Sequence, residues 1–195
     1  MTLSREKIVE HYKKNWSDQN PNIKIWEKGP MQKLKPDFCI LEFPPYDSRE
    51  MWTYATCGMS SLDSGQPIEI HLFSSRRDDN LVELLTLVAY YHNTSDGLYL
   101  WHTVDLGKPW QDDSICSHGL ISLPYLDGPD LENLYIPEVD ENLKFLWFIP
   151  ITEEEVRYKV KNGVEALEEK FEEGELDYLN PNRKSVIVNR KGFFS

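Results

Sequence analysis

A cysteine and a histidine stand two residues apart in the second half of the sequence, at Cys116 and His118. Such a pair can act together when the imidazole takes the proton of the thiol and the sulfur becomes a nucleophile. Asp105 or Glu69 is the candidate carboxylate for such a site. A cysteine beside a strand is more often simply buried, because it packs as a small apolar residue. The sequence therefore leaves a cysteine- and histidine-dependent hydrolase open as an alternative function.

The other metal-binding or nucleophilic side chains show no spacing that indicates a site. The candidates are His71, His92, His102 and His118 with Cys39, Cys57 and Cys116. Structural zinc needs four ligands and catalytic zinc needs three, and only one pair is close in sequence. The P-loop, GxGxxG, HExxH, GxSxG and kinase motifs are absent from the sequence. We therefore expect no metal, no cofactor and no enzymatic activity.

Four tryptophans could line a pocket, at Trp52, Trp101, Trp110 and Trp147. Their positions among apolar residues favour places in the core. A cage of aromatic rings can bind a cation, but sequence spacing does not bring these four rings together. A small-ligand-binding domain with a Trp-lined pocket is a second alternative function.

The composition limits the class of protein. The chain has 195 residues with 12% aromatic and 40% hydrophobic residues, which suits one folded domain. The three cysteines are an odd number without CxxC spacing, which favours a reducing cytoplasm over a disulfide framework. Neither a membrane-spanning apolar run nor a signal-peptide pattern is found in the sequence.

Charge is concentrated in one stretch of the chain. The net charge is −12, from 33 acidic and 21 basic residues, which counts against a phosphate-neutralising surface for nucleic acid. Residues 105–177 hold 19 acids and 6 bases, whereas the rest is nearly neutral. This stretch is either a solvated surface that keeps the protein soluble or an acidic docking face for a basic protein.

Helical periodicity predicts three helices. Ile8, Tyr12 and Trp16 recur every four residues and give the first helix one apolar face. In the second helix, Asn80 and Glu83 have the spacing of a capping box. The predicted helices span residues 3–17, 79–92 and 152–174.

The third predicted helix carries its own boundary signals. Thr152 and Glu155 form a second capping-box pattern, and Gly174 marks the end of the helix. Gly163 lies inside and predicts a kink or a division into two helices.

Short apolar runs separated by turn residues predict the strands. Residues 143–151 are almost continuously apolar, which indicates a buried central strand. Glu69 alternates with apolar neighbours in another run, and we expect it to face solvent. The predicted strands span residues 23–26, 38–43, 52–59, 67–74, 118–123, 132–136, 143–151 and 184–188. The order of elements predicts an α+β fold with a mixed, largely antiparallel sheet packed with helices, in a single domain of residues 1–195 with a core at about residues 30–190.

Several stretches, in this order, resemble the motifs of the suppressor-of-fused domain family. They are WTYATCGMS (52–60) followed by IEI (68–70), HTVDLG (102–107), FLWFIPITEEE (145–155), GVEAL (163–167) and RKSVI (183–187). The resemblance implies an α+β fold and a protein that binds other proteins without known catalysis. Animal members restrain Gli transcription factors by clamping a short peptide, which adds as a strand between two domains.

The sequence has no counterpart to the second domain of the animal members and is more similar to compact bacterial members. Those have been proposed as immunity proteins that neutralise toxins of polymorphic systems. The resemblance places residues 123–127 near the region where animal relatives hold the peptide with acidic and tyrosine side chains.

The leading hypothesis is a cytoplasmic, non-enzymatic protein-binding module, an immunity protein that binds a basic toxin domain through an acidic face. Toxin domains that attack nucleic acid need cationic surfaces, which an acidic inhibitor can occupy. We expect no nucleic acid or membrane partner. The predicted partner-binding residues are Tyr125, Asp127, Asp130, Glu132, Glu138, Asp140 and Glu141, with Trp110 and Tyr135 as aromatic anchors.

Overall fold

One eight-stranded β-sheet runs through the protein. The structure is a computed structural model, and it describes residues 5–16, 20–28, 34–46, 49–61 and 67–187. The strands are β1 (Asn22–Lys24), β2 (Cys39–Phe43), β3 (Trp52–Cys57), β4 (Ile68–Ser74), β5 (Thr103–Asp105), β6 (His118–Ser122), β7 (Asn133–Ile136) and β8 (Glu141–Ile151). Their order in the sheet is β1-β2-β3-β4-β8-β6-β5, and β7 also pairs with β8.

The predicted fold class is confirmed. Only the pairing of β4 with β8 is parallel among the described ladders, and the others are antiparallel. The sheet and its helices form a single domain of the α+β class. Among the described residues, no helix is both long and apolar enough to cross a bilayer.

Strand β8 organises the sheet. Trp147 pairs with His71 of β4 and with Ser122 of β6, so these two strands lie on opposite edges of β8. Strand β7 pairs with the beginning of β8, on the same edge as β6. The chain between β6 and β7, residues 123–132, therefore leaves the sheet and returns to it. The expectation of a buried central strand is confirmed, since residues 145–151 are all buried.

The described residues form five helices, which cover the two faces of the sheet. They are α1 (Arg5–Trp16), α2 (Asn80–Thr94), α3 (Pro129–Glu132), α4 (Glu153–Asn162) and α5 (Val164–Glu173). Helix α2 packs on one face, where Leu81 and Leu85 join a core with Leu146 and Phe148 of β8. The opposite face has two separate apolar clusters, one under α1 and α3 and the other under α5.

Alternation along β8 decides which cluster each side chain joins. Leu146 and Phe148 face α2, whereas Phe145 and Trp147 point to the other side of the sheet. Phe148 also lies across Gly119 of β6, and a Cβ atom added there would stand 1.8 Å from its ring. Glycine is therefore required at this crossing.

The boundaries of the third predicted helix are confirmed. The Glu155 N–H donates to Thr152 Oγ1 at 3.2 Å, and the Thr152 N–H donates to Glu155 Oε2 at 2.8 Å. Gly163, with φ of +94°, separates α4 from α5, and Gly174 caps the end of α5. Arg183 then donates to both Glu155 oxygens at 2.7 Å, which holds residues 176–187 against the sheet.

Other local expectations are corrected. Asp79, not Asn80, is the N-cap of α2, and no side chain caps it. Residues 184–187 form no strand, and residue 188 lies outside the described residues. Strand β5 and helix α3 were not predicted, because three- and four-residue elements leave no readable period.

Candidate functional site

A cleft of about 300 Å³ opens between the sheet and α5. Ser122, Trp147 and Ile149 of the sheet form its floor. Phe171 and Leu176 close one side with apolar atoms. The remaining lining residues are Tyr125, Leu126, Glu168, Glu172 and Tyr178. Below, this space is called the cleft.

The elements place these side chains by simple periodicities. Trp147 and Ile149 are two residues apart on β8, and therefore share the face that α5 covers. Glu168, Phe171 and Glu172 are spaced three and four residues apart on α5, which puts them on one side of the helix. The arrangement combines aromatic and aliphatic walls with carboxylates along α5.

Hydrogen bonds join the two rims of the cleft. The Tyr125 hydroxyl donates to Glu168 Oε1 at 3.0 Å, and the Ser122 hydroxyl donates to the same oxygen at 3.3 Å. Partial burial raises the pKa of Glu168. Burial, together with the neighbouring Glu168 carboxylate, raises the pKa of Tyr125 to about 12. The tyrosine is therefore a neutral donor at physiological pH, and the residue as a whole is 57% exposed.

A buried ion pair holds the rim segment that carries Tyr125. The Arg49 guanidinium donates to Asp127 Oδ1, and the side chain of Asp127 is only 1% exposed. The guanidinium also lies over the rings of Trp16 and Phe73, at 5.2 and 5.3 Å from their centroids. Asp127 therefore ties the turn at residues 124–128 to the short bridge that contains Arg49.

His71 completes this polar cluster. Its Nε2 lies 3.5 Å from Asp127 Oδ2, and burial lowers the pKa of the imidazole to about 3. The ring is therefore neutral, and Arg49 alone supplies positive charge to Asp127. Within the described residues, several buried polar atoms here have no hydrogen-bond partner: Tyr12 Oη, Trp16 Nε1, Arg49 Nη1, both nitrogens of His71 and Asp127 Oδ2. The His71 ring packs against Trp16 on one side and Phe73 on the other. The polar cluster therefore lies between the apolar cluster under α1 and the apolar cluster under α5.

The structure places the predicted partner-binding residues in three environments. Of the nine, only Tyr125 lines the cleft. Asp130 and Glu141 form no ion pair within the described part of the chain, whereas Glu132 lies 3.8 Å from Lys144 and Glu138 pairs with Lys7. Asp140 accepts a hydrogen bond from the Tyr135 hydroxyl at 2.8 Å, and that tyrosine is 53% exposed. These residues follow one another over α3, β7 and the turn before β8.

Two of the predicted residues are not at the surface. Trp110 is 3% exposed and packs in the core under α2, and the Asp127 side chain is buried in its ion pair. Neither side chain is accessible to a partner, so we do not retain them as contacts. Local sequence cannot reveal this, because the residues that cover them are distant in the chain.

The residues that build the cleft were mostly missed by sequence reasoning. Glu168, Phe171 and Glu172 read as part of an ordinary amphipathic helix, and Trp147 reads as core. A signal was nevertheless present, since Glu168 and Glu172 lie next to the apolar positions Leu167 and Phe171 instead of on the opposite face. Of the four tryptophans considered for a pocket, only Trp147 lines the cleft.

The candidate thiol–imidazole site does not present an activated thiol. Cys116 is fully buried, and burial raises the pKa of its thiol, whereas a nucleophilic cysteine needs a lowered pKa. His118 Nε2 lies 3.9 Å from Asp105. Among the described residues, no three His, Cys, Asp or Glu side chains are grouped to hold a metal ion.

Glu69 corrects a prediction, because it is buried and not solvent-facing. Its carboxylate is 1% exposed and accepts hydrogen bonds from the Thr56 hydroxyl at 2.6 Å and from the Gly58 and Met59 amides at 2.8 and 3.0 Å. Burial raises its pKa to about 7. Glu69 therefore closes the end of the β3–β4 ladder and has a structural role.

Comparisons with known proteins agree with this architecture. The family described as suppressor of fused protein (SUFU) matches residues 35–184. No curated protein matches the sequence. A crystal structure of a SUFU homologue from Neisseria gonorrhoeae FA 1090 is 31% identical, with a TM-score of 0.81, and the match covers 95% of this chain and 97% of that chain.

Two more distant structures share the fold. The structure of a Sufu–Fu complex is 15% identical with a TM-score of 0.67, over 93% of this chain and 91% of that chain. Drosophila Suppressor of Fused is 16% identical with a TM-score of 0.65, over 92% of this chain but only 50% of that chain. From the match over residues 35–184 and the 31% identical homologue, the chain belongs to the suppressor of fused family.

Proposed function

We propose that the protein is a non-enzymatic protein-binding module, an immunity protein that neutralises a toxin by direct binding through an acidic face. The observation that carries the proposal is the cleft, in which an apolar floor lies beside the carboxylates of Glu168 and Glu172. Interfaces take their binding energy from buried aromatic and apolar contacts and their partner choice from charge. The cleft offers both at one place.

The proposed acidic face combines exposed and half-buried residues, three of which line the cleft and the rest of which follow over α3, β7 and the start of β8. Its members are Tyr125, Asp130, Glu132, Tyr135, Glu138, Asp140 and Glu141 with Glu168 and Glu172. Most belong to the stretch that holds the negative charge of the chain. A concentration of negative charge steers a basic protein toward it and raises the association rate.

The ion pairs within the face leave most of its charge available. The Lys7–Glu138 and Lys144–Glu132 pairs lie at the surface, where such pairs contribute little. Among the residues that the structure describes, Asp130, Glu141 and Glu172 form no ion pair. A partner that brings lysines or arginines therefore finds carboxylates without strong competitors.

The family gives further support for a protein partner. One relative of the same fold has been crystallised as the Sufu–Fu complex. A basic toxin domain, such as one that acts on nucleic acid, has the complementary charge. With such a partner we expect the protein to act in the cytoplasm, where the toxin would meet nucleic acid.

A protection assay tests the proposal. The chain is co-expressed in turn with the toxin domains encoded in its source genome, and cell survival is measured. We expect survival with the wild type and loss of survival with Asp130→Lys/Glu141→Lys, because reversed charges repel a basic partner. The matched control is Glu27→Lys/Asp96→Lys, which makes the same charge change at exposed positions outside the acidic face.

Two results would contradict the proposal. Wild-type protein that gives no protection removes the immunity role. Full protection by Asp130→Lys/Glu141→Lys removes the acidic face as the binding surface. Circular dichroism of each variant establishes that the fold is retained.

A further inference from the structure

The chemistry of the cleft is more specific than a general acidic surface. Its walls include the aromatic rings of Trp147, Phe171 and Tyr178, and the Trp147 and Tyr178 rings meet edge to face at 5.2 Å. The volume of about 300 Å³ is at the lower end for ligand sites and suits a single long side chain. The space is therefore shaped for one apolar stem.

Two carboxylates stand at the side of this apolar space. Glu168 receives the hydroxyls of Tyr125 and Ser122 on Oε1, and the described residues provide no hydrogen bond to its Oε2. Glu172 has no cationic partner in the described part of the chain. The pair therefore offers negative charge and free acceptor atoms at the mouth of an apolar cleft.

Two cations on the elements around the cleft, Arg49 and Lys170, are already paired with carboxylates. Arg49 lies behind Phe73 and donates to Asp127, and Lys170 of α5 pairs with Glu173 at 2.5 Å. Neither satisfies the carboxylates of the cleft. The unbalanced charge is therefore negative.

We propose that the cleft is the pocket for one basic side chain, a lysine or arginine, supplied by the protein partner. Its methylene stem packs on Trp147 and Phe171, and its charged group binds Glu168 and Glu172. Long basic side chains bind in this way, with the stem buried and the charged end at the rim. Aromatic rings beside the charged group add a favourable cation–π interaction. This inference rests on the proposed function, since it deepens the account of the same face.

A direct binding experiment tests the pocket without the partner. N-acetyl-lysine N-methylamide is titrated into isotope-labelled protein, and the indole N–H of Trp147 and the amides of residues 168–172 are followed by NMR. The neutral comparison is N-acetyl-norleucine N-methylamide, which has the same stem without the ammonium group. We expect the lysine derivative to bind about fivefold tighter, because a charged hydrogen bond adds to the apolar contact.

Variants on one helix locate the effect. Glu168→Gln/Glu172→Gln should lower the affinity for the lysine derivative to that of the norleucine derivative. Glu165→Gln/Glu169→Gln removes the same charge from exposed positions of α5 outside the cleft, keeps the Lys170–Glu173 pair, and should leave the affinity unchanged. The melting temperature of each variant separates loss of binding from loss of folding.

Three results would overturn the pocket. Equal affinity for the two derivatives would show that only apolar contact is made. Binding of free pentylammonium without binding of the lysine derivative would assign the cleft to a small amine. Absence of shifts at Trp147 with any cation would leave no site.

The outcome is separable from that of the protection assay. Lysine binding without protection supports the pocket and removes the immunity role. Protection without lysine binding overturns the pocket and leaves the immunity proposal in place.

Discussion

Helices α1 and α5 cover the same face of the sheet in different ways. Under α1, Ile8 and Tyr12 are buried directly against the strands, and Tyr12 meets the ring of Phe145 at 4.8 Å. Under α5, Leu167 is fully buried, but Glu168 and Glu172 stand beside a cleft of about 300 Å³. Close packing under α1 stabilises the fold, and incomplete packing under α5 leaves apolar surface open in the cleft.

The polar cluster of Arg49, His71 and Asp127 lies between the region under α1 and the region under α5. Its Arg49–Asp127 ion pair fixes the turn that forms one rim of the cleft. The buried charge is compensated by one ion pair, while several neighbouring polar atoms have no partner among the described residues. The rim is therefore held by a pair that is costly to break and not by close packing.

The largest expected difference between the regions under α1 and α5 is in the stability lost when a tyrosine is removed from each. Tyr12→Ala should lower the free energy of unfolding by about 3–5 kcal/mol, because a fully buried ring leaves a cavity. Tyr125→Ala, at a residue that is 57% exposed, should cost less than about 1 kcal/mol. Urea denaturation measures both values. Similar losses for the two variants would contradict the comparison.

Removal of the Asp127 carboxylate tests the polar cluster that lies between the regions under α1 and α5. Asp127→Ala leaves the Arg49 guanidinium largely buried without its counter-ion, and should destabilise the protein by about 3 kcal/mol. Asp130→Ala, three residues later and exposed, should change stability by less than about 0.5 kcal/mol. If Asp127→Ala behaves like Asp130→Ala in urea denaturation, the ion pair does not hold the rim.

Glu69 lies in the half of the sheet that α1 covers. It should make the free energy of unfolding depend on pH. Its pKa in the folded protein is raised to about 7 from 4.5, so the folded state holds a proton that the unfolded state has released between these values. Stability from this group is complete below about pH 4.5 and is lost as the pH rises through 7, by on the order of 3 kcal/mol. Glu69→Gln should remove this part of the pH profile.

The matched substitution in the cleft is the control. Glu168 is only partly buried, and its pKa is raised in the same direction, so its contribution decreases with rising pH but is weakened by solvent. Glu168→Gln should change the profile less than Glu69→Gln does. Denaturation from pH 4 to pH 8 measures both, and an unchanged slope for Glu69→Gln would contradict the assignment.

The smallest expected effect concerns the cysteines. Cys39, Cys57 and Cys116 are all buried, and the first two lie opposite each other under α1. Their alkylation should be slow in the native protein and fast after unfolding, because the reagent must reach the sulfur atoms. Rapid alkylation of Cys116 in the native state would revive the thiol–imidazole alternative.

Much of the fold was readable from local patterns. The periodicity of Ile8, Tyr12 and Trp16 predicts α1, and the apolar run at residues 143–151 predicts the central strand. The Thr152–Glu155 capping box and Gly163 also give the observed boundaries, because caps depend only on neighbouring residues. The family motifs identified the family for the same reason, since they consist largely of core patterning.

The burial of Glu69 and Asp127 could not be predicted from the sequence. Glu69 and Asp127 have the local appearance of exposed residues, and only contacts over long stretches of sequence bury them. Arg49 and Asp127 are 78 positions apart, and Tyr125 and Glu168 are 43 apart. These meetings depend on the order of strands in the sheet and above all on the parallel pairing of β4 with β8, which no periodicity encodes.

The sequence by itself determined the α+β class, the family and the stretch of chain that holds the negative charge. Each of these follows from composition or from patterns between residues a few positions apart. The tertiary structure decided which carboxylates reach solvent, which form a buried ion pair, and which stand beside Trp147 in the cleft. The physical reason is that burial and electrostatic environment are set by partners distant in the chain, and folding alone brings those partners together.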